Sequence, residues 1–182
     1  FGDANPIVSF HDALDNTNLE FTTGGDALWF GQATEYYWDG DAAESGNISD
    51  DETSWIQATV IGPGKISFYW KVSSSYWDLL KFYIDGNEKV NISGEVNWKQ
   101  EMFYIETGVH ILKWSYEKNW WGSYGDDRGW LDKVIWESGA EWAVHNINKD
   151  THYLTIQHAI DDADNGDTLF VKSGIYLSLI HI

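Results

Sequence analysis

The sequence predicts an all-β protein: an antiparallel β-sandwich over most of its length, followed by a shorter segment holding one helix and a strand. Three observations predict it. From about Asp26 to Trp136 the chain is a series of short alternating runs broken by Gly, Pro, Asn and Asp. No stretch of that region repeats apolar residues at helical spacing. After the small, polar ESGAE (Glu137 to Glu141) the texture changes, and Ile156, Ala159, Ile160 and Ala163 line one face of a helix.

In chain order, Ser54 to Ile61 and Lys65 to Ser73 read as two strands flanking Gly62-Pro63-Gly64, residues that favour a turn. In the second strand Ile66, Phe68, Trp70 and Val72 share the core face, while Lys65, Ser67, Tyr69 and Lys71 share the other. Leu80, Phe82 and Ile84 form the next strand, Asp85-Gly86 a tight connection, and Val90 and Ile92 the return. VHILKWSY alternates again, and GWLDKVIW closes the region. Two packed antiparallel sheets, a sandwich or jelly roll, account for this pattern. Beyond it, Thr155 is placed to cap the helix, Asn165-Gly166 ends it, and TLFV reads as a strand buried on both sides.

Composition narrows the function. Asp and Glu number 29 against 11 Lys and Arg, a net charge of -18, which disfavours nucleic acid and anionic membranes as partners. A mean hydropathy of -0.40 and the lack of a long apolar run exclude a transmembrane helix. Zero Cys removes disulfides, thiolate metal sites and Cys nucleophiles. Twelve Trp and ten Tyr exceed what one core of this size needs, so some are expected at the surface as a binding face.

Two family resemblances cover most of the chain. SWIQATVIGPGKISFYWKVSSSYWDLLKFYIDG, with HILKWSYEKN and GWLDKVIW, resembles a jelly-roll module of archaeal and bacterial surface proteins, related in architecture to MAM and lectin-like sandwiches. VHNINKDTHYLTIQHAIDDADNGDTLFVKSGIY resembles the first coil and capping helix of right-handed parallel β-helix, pectin-lyase-like proteins. After Tyr176 that family would continue into further rungs, whereas this chain has only LSLIHI. Those six residues are what CTG TCT CTT ATA CAC ATC encodes, the end of a common transposase-based sequencing adapter. The organisation expected is a sandwich over residues 1–138, a β-helix cap over 139–176, and an adapter-derived tail over 177–182, with the natural gene continuing.

The candidate contacts follow from residue type. KNWWGSYGDDRGW places Trp120, Trp121 and Tyr124 among Gly, Ser and Asp, and Tyr76 and Trp77 follow the Lys65 strand. Aromatic faces stack on the C–H faces of sugar rings, and neighbouring carboxylates accept from hydroxyls. Tyr36, Tyr37 and Trp38 form a further aromatic run, whereas Trp70, Trp114 and Trp136 read as core. In GWLDKVIW the alternation puts Asp132 on the face of Trp130, Val134 and Trp136, and a buried carboxylate there needs a cation or several N–H donors. The surface-protein resemblance implies a structural Ca²⁺ beside the last strand. Asp132 with Asp126 and Asp127 is the ligand set expected, and Asp39, Asp41 and Glu44 form an acidic loop that approaches.

No catalytic motif is present in the portion given, which leaves open whether the full protein is an enzyme. The leading function is a non-catalytic extracellular or cell-surface module that binds polysaccharide or cell-surface glycan, or mediates adhesion. Two other classes remain: an accessory module of a β-helix polysaccharide lyase or glycoside hydrolase, and a structural spacer in a surface layer.

Overall fold

The computed structural model describes residues 8–120, 122, 124–139, 142–153 and 156–173. Trp121, Thr155 and the 177–182 tail lie outside them. The chain divides into two compact units, the first ending at Gly139 and the second beginning at Ala140.

Among the described residues the first unit holds a short helix α1 (Phe10–Ala13) and eight strands. These are β1 (Phe21–Gly25), β2 (Phe30–Gln32), β3 (Ala42–Glu44), β4 (Thr53–Ser73), β5 (Leu79–Ile84), β6 (Asn87–Ser93), β7 (Glu95–Glu117) and β8 (Arg128–Ser138). All their pairings are antiparallel. The two long strands organise the rest. The first half of β4 pairs with β1 and with the second half of β7, which continues through β5 to β6. The second half of β4 pairs with the first half of β7 and with β8, which continues through β3 to β2.

These two halves face each other. Phe68 is a dozen positions further along β4 than Ile56, the cross-strand partner of Trp114. A flat strand would hold the two about 40 Å apart. Their rings instead meet edge to face at 5.2 Å, and Phe82 of β5 packs on Phe68 at 4.9 Å. Ile56, Ala58 and Val60 from one half thus share a core with Ile66, Phe68, Trp70 and Val72 from the other. Trp70 and Trp114 are fully buried there, and Trp136 packs against the same core half-buried.

Gly62-Pro63-Gly64 is therefore not a hairpin turn, as its composition suggested. It is a bend within one strand, with Gly62 opposite Gly108, Gly64 opposite Ile105, and an extra residue of β7 between. A side chain on Gly62 would lie 1.8 Å from the Glu106 carbonyl oxygen, so the close passage of β7 requires glycine. Asp85-Gly86 does make the expected two-residue turn, both residues lying in the left-handed region as a primed turn requires.

The second unit contains β9 (Val144–Asn146), β10 (Thr151–Tyr153), α2 (Ile156–Asp162) and β11 (Leu169–Val171). Among the described residues of 139–176 no parallel pairing of the expected first coil is shown: β10 and β11 both pair with β9 antiparallel. The cause is local. The Asn146 side-chain oxygen accepts from the backbone N–H groups of Asn148 and Lys149, reversing the chain into β10. Nor is TLFV buried on both sides: β11 lies at one end of the strand order, and Phe170 and Val171 are exposed. On α2 the apolar stripe is narrower than predicted, with Ala159 buried and Ile160 exposed.

Candidate functional site

At the end of the sandwich where β4 stops, two loops meet. Residues 74–78 form a tight turn closed by hydroxyls: Ser74 Oγ donates to the Asp78 carbonyl at 2.9 Å, and Ser75 Oγ to the Asp78 carboxylate at 2.8 Å. The other Asp78 oxygen accepts from the backbone N–H of Asn119 at 2.9 Å, tying this turn to the 118–127 loop. That loop is fixed again where the Asp126 N–H donates to Ser73 Oγ at 2.8 Å. On this braced backbone the aromatics point outward, Tyr76, Trp77, Trp120 and Tyr124 being 72, 63, 64 and 72% exposed. Tyr76 and Trp77 hold each other edge to face at 4.9 Å. Four of the five residues expected to contact sugar thus stand on two adjoining loops, and the fifth, Trp121, lies outside the described residues.

The metal set separates. Asp127 is engaged elsewhere: it accepts from Tyr116 Oη at 2.8 Å and pairs with the buried Lys118 ammonium, which also reaches Asp50 at 3.7 Å. Burial and the neighbouring carboxylate together push the Tyr116 hydroxyl far above the usual phenol range. Asp126 is exposed beside the same loop. Neither joins Asp132.

Asp132 is fully buried, though not on the face the alternation assigned to it. The pairing of β8 with β4 slips by one residue between Ser67 and Tyr69, around Lys133, whose φ of 48° marks the bulge. Val134 and Trp136 consequently pack on the core, whereas Asp132 lies opposite Tyr69 and Trp130 opposite Lys71, on the other face of the sheet. Asp132 is buried there because the 33–38 segment crosses it. The backbone N–H groups of Tyr37 and Trp38 donate to its Oδ2 at 2.7 and 2.9 Å.

Three more carboxylates gather round it. Asp15 is pushed up to about 7, first by burial, then by a hydrogen bond with Asp39 and by the charges of Asp39, Asp132 and Asp41. Burial, with Asp39 and Asp12 nearby, raises Asp41 as well. Burial raises Asp132 against the opposing effect of its N–H donors. One oxygen each of Asp41 and Asp132 is buried without a hydrogen-bond partner. Even so, among the described residues no three His, Asp or Glu side chains converge closely enough to hold a metal as they stand. Sequence reasoning reached Asp39, Asp41 and Asp132 but missed Asp15, whose only local sign is its position just after the short α1.

No family model matches the chain. No curated protein matches it either. Solved structures do match. The secreted serine protease VesC from Vibrio cholerae aligns over 70% of this chain and 26% of its own, at 17% identity and a TM-score of 0.53. The chain thus spans about a quarter of that protein's length. A cleaved adhesin domain of Lys-gingipain from Porphyromonas gingivalis aligns over 68% of this chain and 95% of its own, at 12% identity and a TM-score of 0.50. The carbohydrate-binding module TmCBM61, solved in complex with β-1,4-galactotriose, aligns over 74% and 95% at 18% identity and a TM-score of 0.45. Among the described residues no helix is long and apolar enough to cross a membrane. What this chain shares with the protease and the adhesin domain is the fold, an antiparallel β-sandwich.

Proposed function

We propose that the sandwich is a non-catalytic module that binds neutral polysaccharide or cell-surface glycan outside the cell, through the exposed aromatics of the 74–78 and 118–127 loops. One observation carries this reading: Tyr76, Trp77, Trp120 and Tyr124 are largely exposed on two loops whose backbones are locked together. Exposed rings on a fixed backbone lose little conformational freedom when a ligand arrives. The surroundings favour a neutral ligand. Lys118 is committed to Asp127 and Asp50, and Arg128 to Glu44 at 2.7 Å, while Asp126 stays exposed. A secreted protease and an adhesin domain with the same fold are in keeping with the location.

Native electrophoresis through gels containing xylan, β-1,4-galactan, mixed-linkage β-glucan or polygalacturonate tests this. The chain is expected to be slowed by at least one neutral polymer and not by polygalacturonate. Trp77→Ala with Trp120→Ala should remove most of that slowing while leaving the melting temperature unchanged. Equal mobility of the variant and the parent in every gel would overturn the loop assignment.

We also propose a structural Ca²⁺ held by Asp132 with Asp15, Asp39 and Asp41. The unpartnered buried oxygens of Asp41 and Asp132 support it, since such oxygens are costly unless a cation or donor meets them. Ca²⁺ takes roughly six to eight oxygens, so carbonyls and waters would complete the shell and the carboxylates would draw inward on binding. Adding Ca²⁺ after treatment with a chelator should raise the melting temperature by several degrees, and Asp132→Asn should abolish the rise. An unchanged melting temperature in the parent would rule the site out.

A further inference from the structure

The two outer faces of the sandwich differ. Across β5 and the second half of β7, the surface is a lattice of charge. Lys81 bridges Glu117 at 2.7 Å and Glu88 at 3.6 Å, Tyr83 Oη donates to Glu117, and Lys113 lies over the Tyr83 ring. The outer face of β7, β4 and β8 is built otherwise, because the 33–38 segment lies across it.

That segment is fixed from three sides. Gln32 brackets it, its Oε1 accepting from the backbone N–H groups of Thr34 and Glu35 at 2.7 and 2.9 Å. Asp132 takes the N–H groups of Tyr37 and Trp38 from below. The Glu35 carboxylate accepts from Trp98 Nε1 at 2.9 Å and from Lys71 Nζ at 3.0 Å. A segment that served only to close the sheet would turn its rings inward. Here Tyr36, Tyr37 and Trp38 remain 48, 40 and 51% exposed. Tyr37 lies flat on Tyr69, centroids 3.7 Å apart and planes within 10°, so one of its faces is supported and the other is outward. Trp98 leans beside it at 6.3 Å. Polar groups interrupt the rings, with Gln100 at 3.3 Å from Tyr69 Oη and the Lys133 ammonium over Trp38 at 3.5 Å.

We propose that this face is a second saccharide-binding surface, for a stretch of neutral polysaccharide laid across Trp38, Tyr37 and Trp98. Pyranose rings have the required duality, C–H faces for the aromatics and hydroxyls for Glu35 and Gln100. The core of a protein–protein interface would present a more continuous apolar patch than rings each flanked by a polar group. The inference shares its ligand class with the loop reading but none of its residues, so either stands if the other fails.

The test uses the full chain in native gels of xylan, β-1,4-galactan and mixed-linkage β-glucan, with two double variants. Tyr37→Ala with Trp38→Ala alters the sheet face, and Trp77→Ala with Trp120→Ala alters the loops. Loss of each stacked ring should weaken binding about threefold to tenfold. A second readout needs no variant: in ¹⁵N-labelled protein, the Trp98 indole N–H and the Trp38 amide should shift on adding the polymer that slows the chain. Loss of slowing in the sheet variant together with those shifts upholds the proposal, whatever the loop variant does. A sheet variant slowed like the parent, with the Trp98 and Trp38 signals unmoved, overturns it and leaves the loop reading standing if the loop variant is impaired. Absence of slowing in all three gels overturns both.

Discussion

Burial first, then the hydrogen bond with Asp39 and the charges of Asp39, Asp132 and Asp41, hold a proton on Asp15 up to near neutrality, and this gives the sandwich a pH dependence of definite sign. Its folded-state value of about 7 lies above the ordinary 3.8. Between those values the folded chain holds a proton that the unfolded chain has released, so stability falls as pH rises through this window. In chelator-treated protein the melting temperature should drop between pH 4 and pH 7, and Asp15→Asn should shrink the drop. A variant with the parent's full pH dependence would place the effect elsewhere. None of this was readable at Asp15 itself, an unremarkable Asp in DALDN. At Asp132 the anomaly was readable, a carboxylate among apolar neighbours, but the face was not. Strand alternation assumes an unbroken register, and the bulge at Lys133 reverses it within one residue.

For the strands, alternation identified the core of β4 correctly and misread the connection within it. Gly-Pro-Gly has the composition of a turn, and only the partner strand decides between a turn and a bend. Because β7 accompanies β4 on both sides of Gly62, the chain bends and keeps pairing. Phe68 is where the two halves close, in ring contact with Trp70, Phe82, Phe103 and Trp114. Phe68→Ala should therefore cost about 3–5 kcal/mol, the range for emptying a large buried aromatic site. Urea unfolding gives that figure directly, and a loss under about 1 kcal/mol would mean that the halves do not close on this ring. The short strand β11 was misjudged for a related reason. An apolar run of four signals burial only when layers lie on both sides, and a sequence window does not show how many layers there are.

Taken whole, the chain carries a net charge of -18, and its acids crowd even within the fold, as around Asp132. Repulsion of that size is screened by salt, with a Debye length of about 10 Å at 0.1 M. Sodium chloride should accordingly raise the melting temperature between low and moderate ionic strength. A fall would show that the ion pairs at Lys81, Lys118 and Arg128 outweigh the repulsion. The loop aromatics were legible because each group is contiguous in sequence and sits among turn residues. The sheet-face cluster was not, since Tyr37, Tyr69 and Trp98 come from three distant segments and meet only through pairing and the 33–38 crossing.

The continuity of β4 and β7 through both layers has a mechanical meaning. In a sandwich whose sheets are linked only by loops, a shearing load slides one layer over the other along an apolar plane. Here that plane is crossed by two covalent chains that bend together at Gly62 and Gly108. A tug delivered to either layer is passed into the other as tension along backbone, so the two layers are held against sliding by covalent bonds as well as by packing.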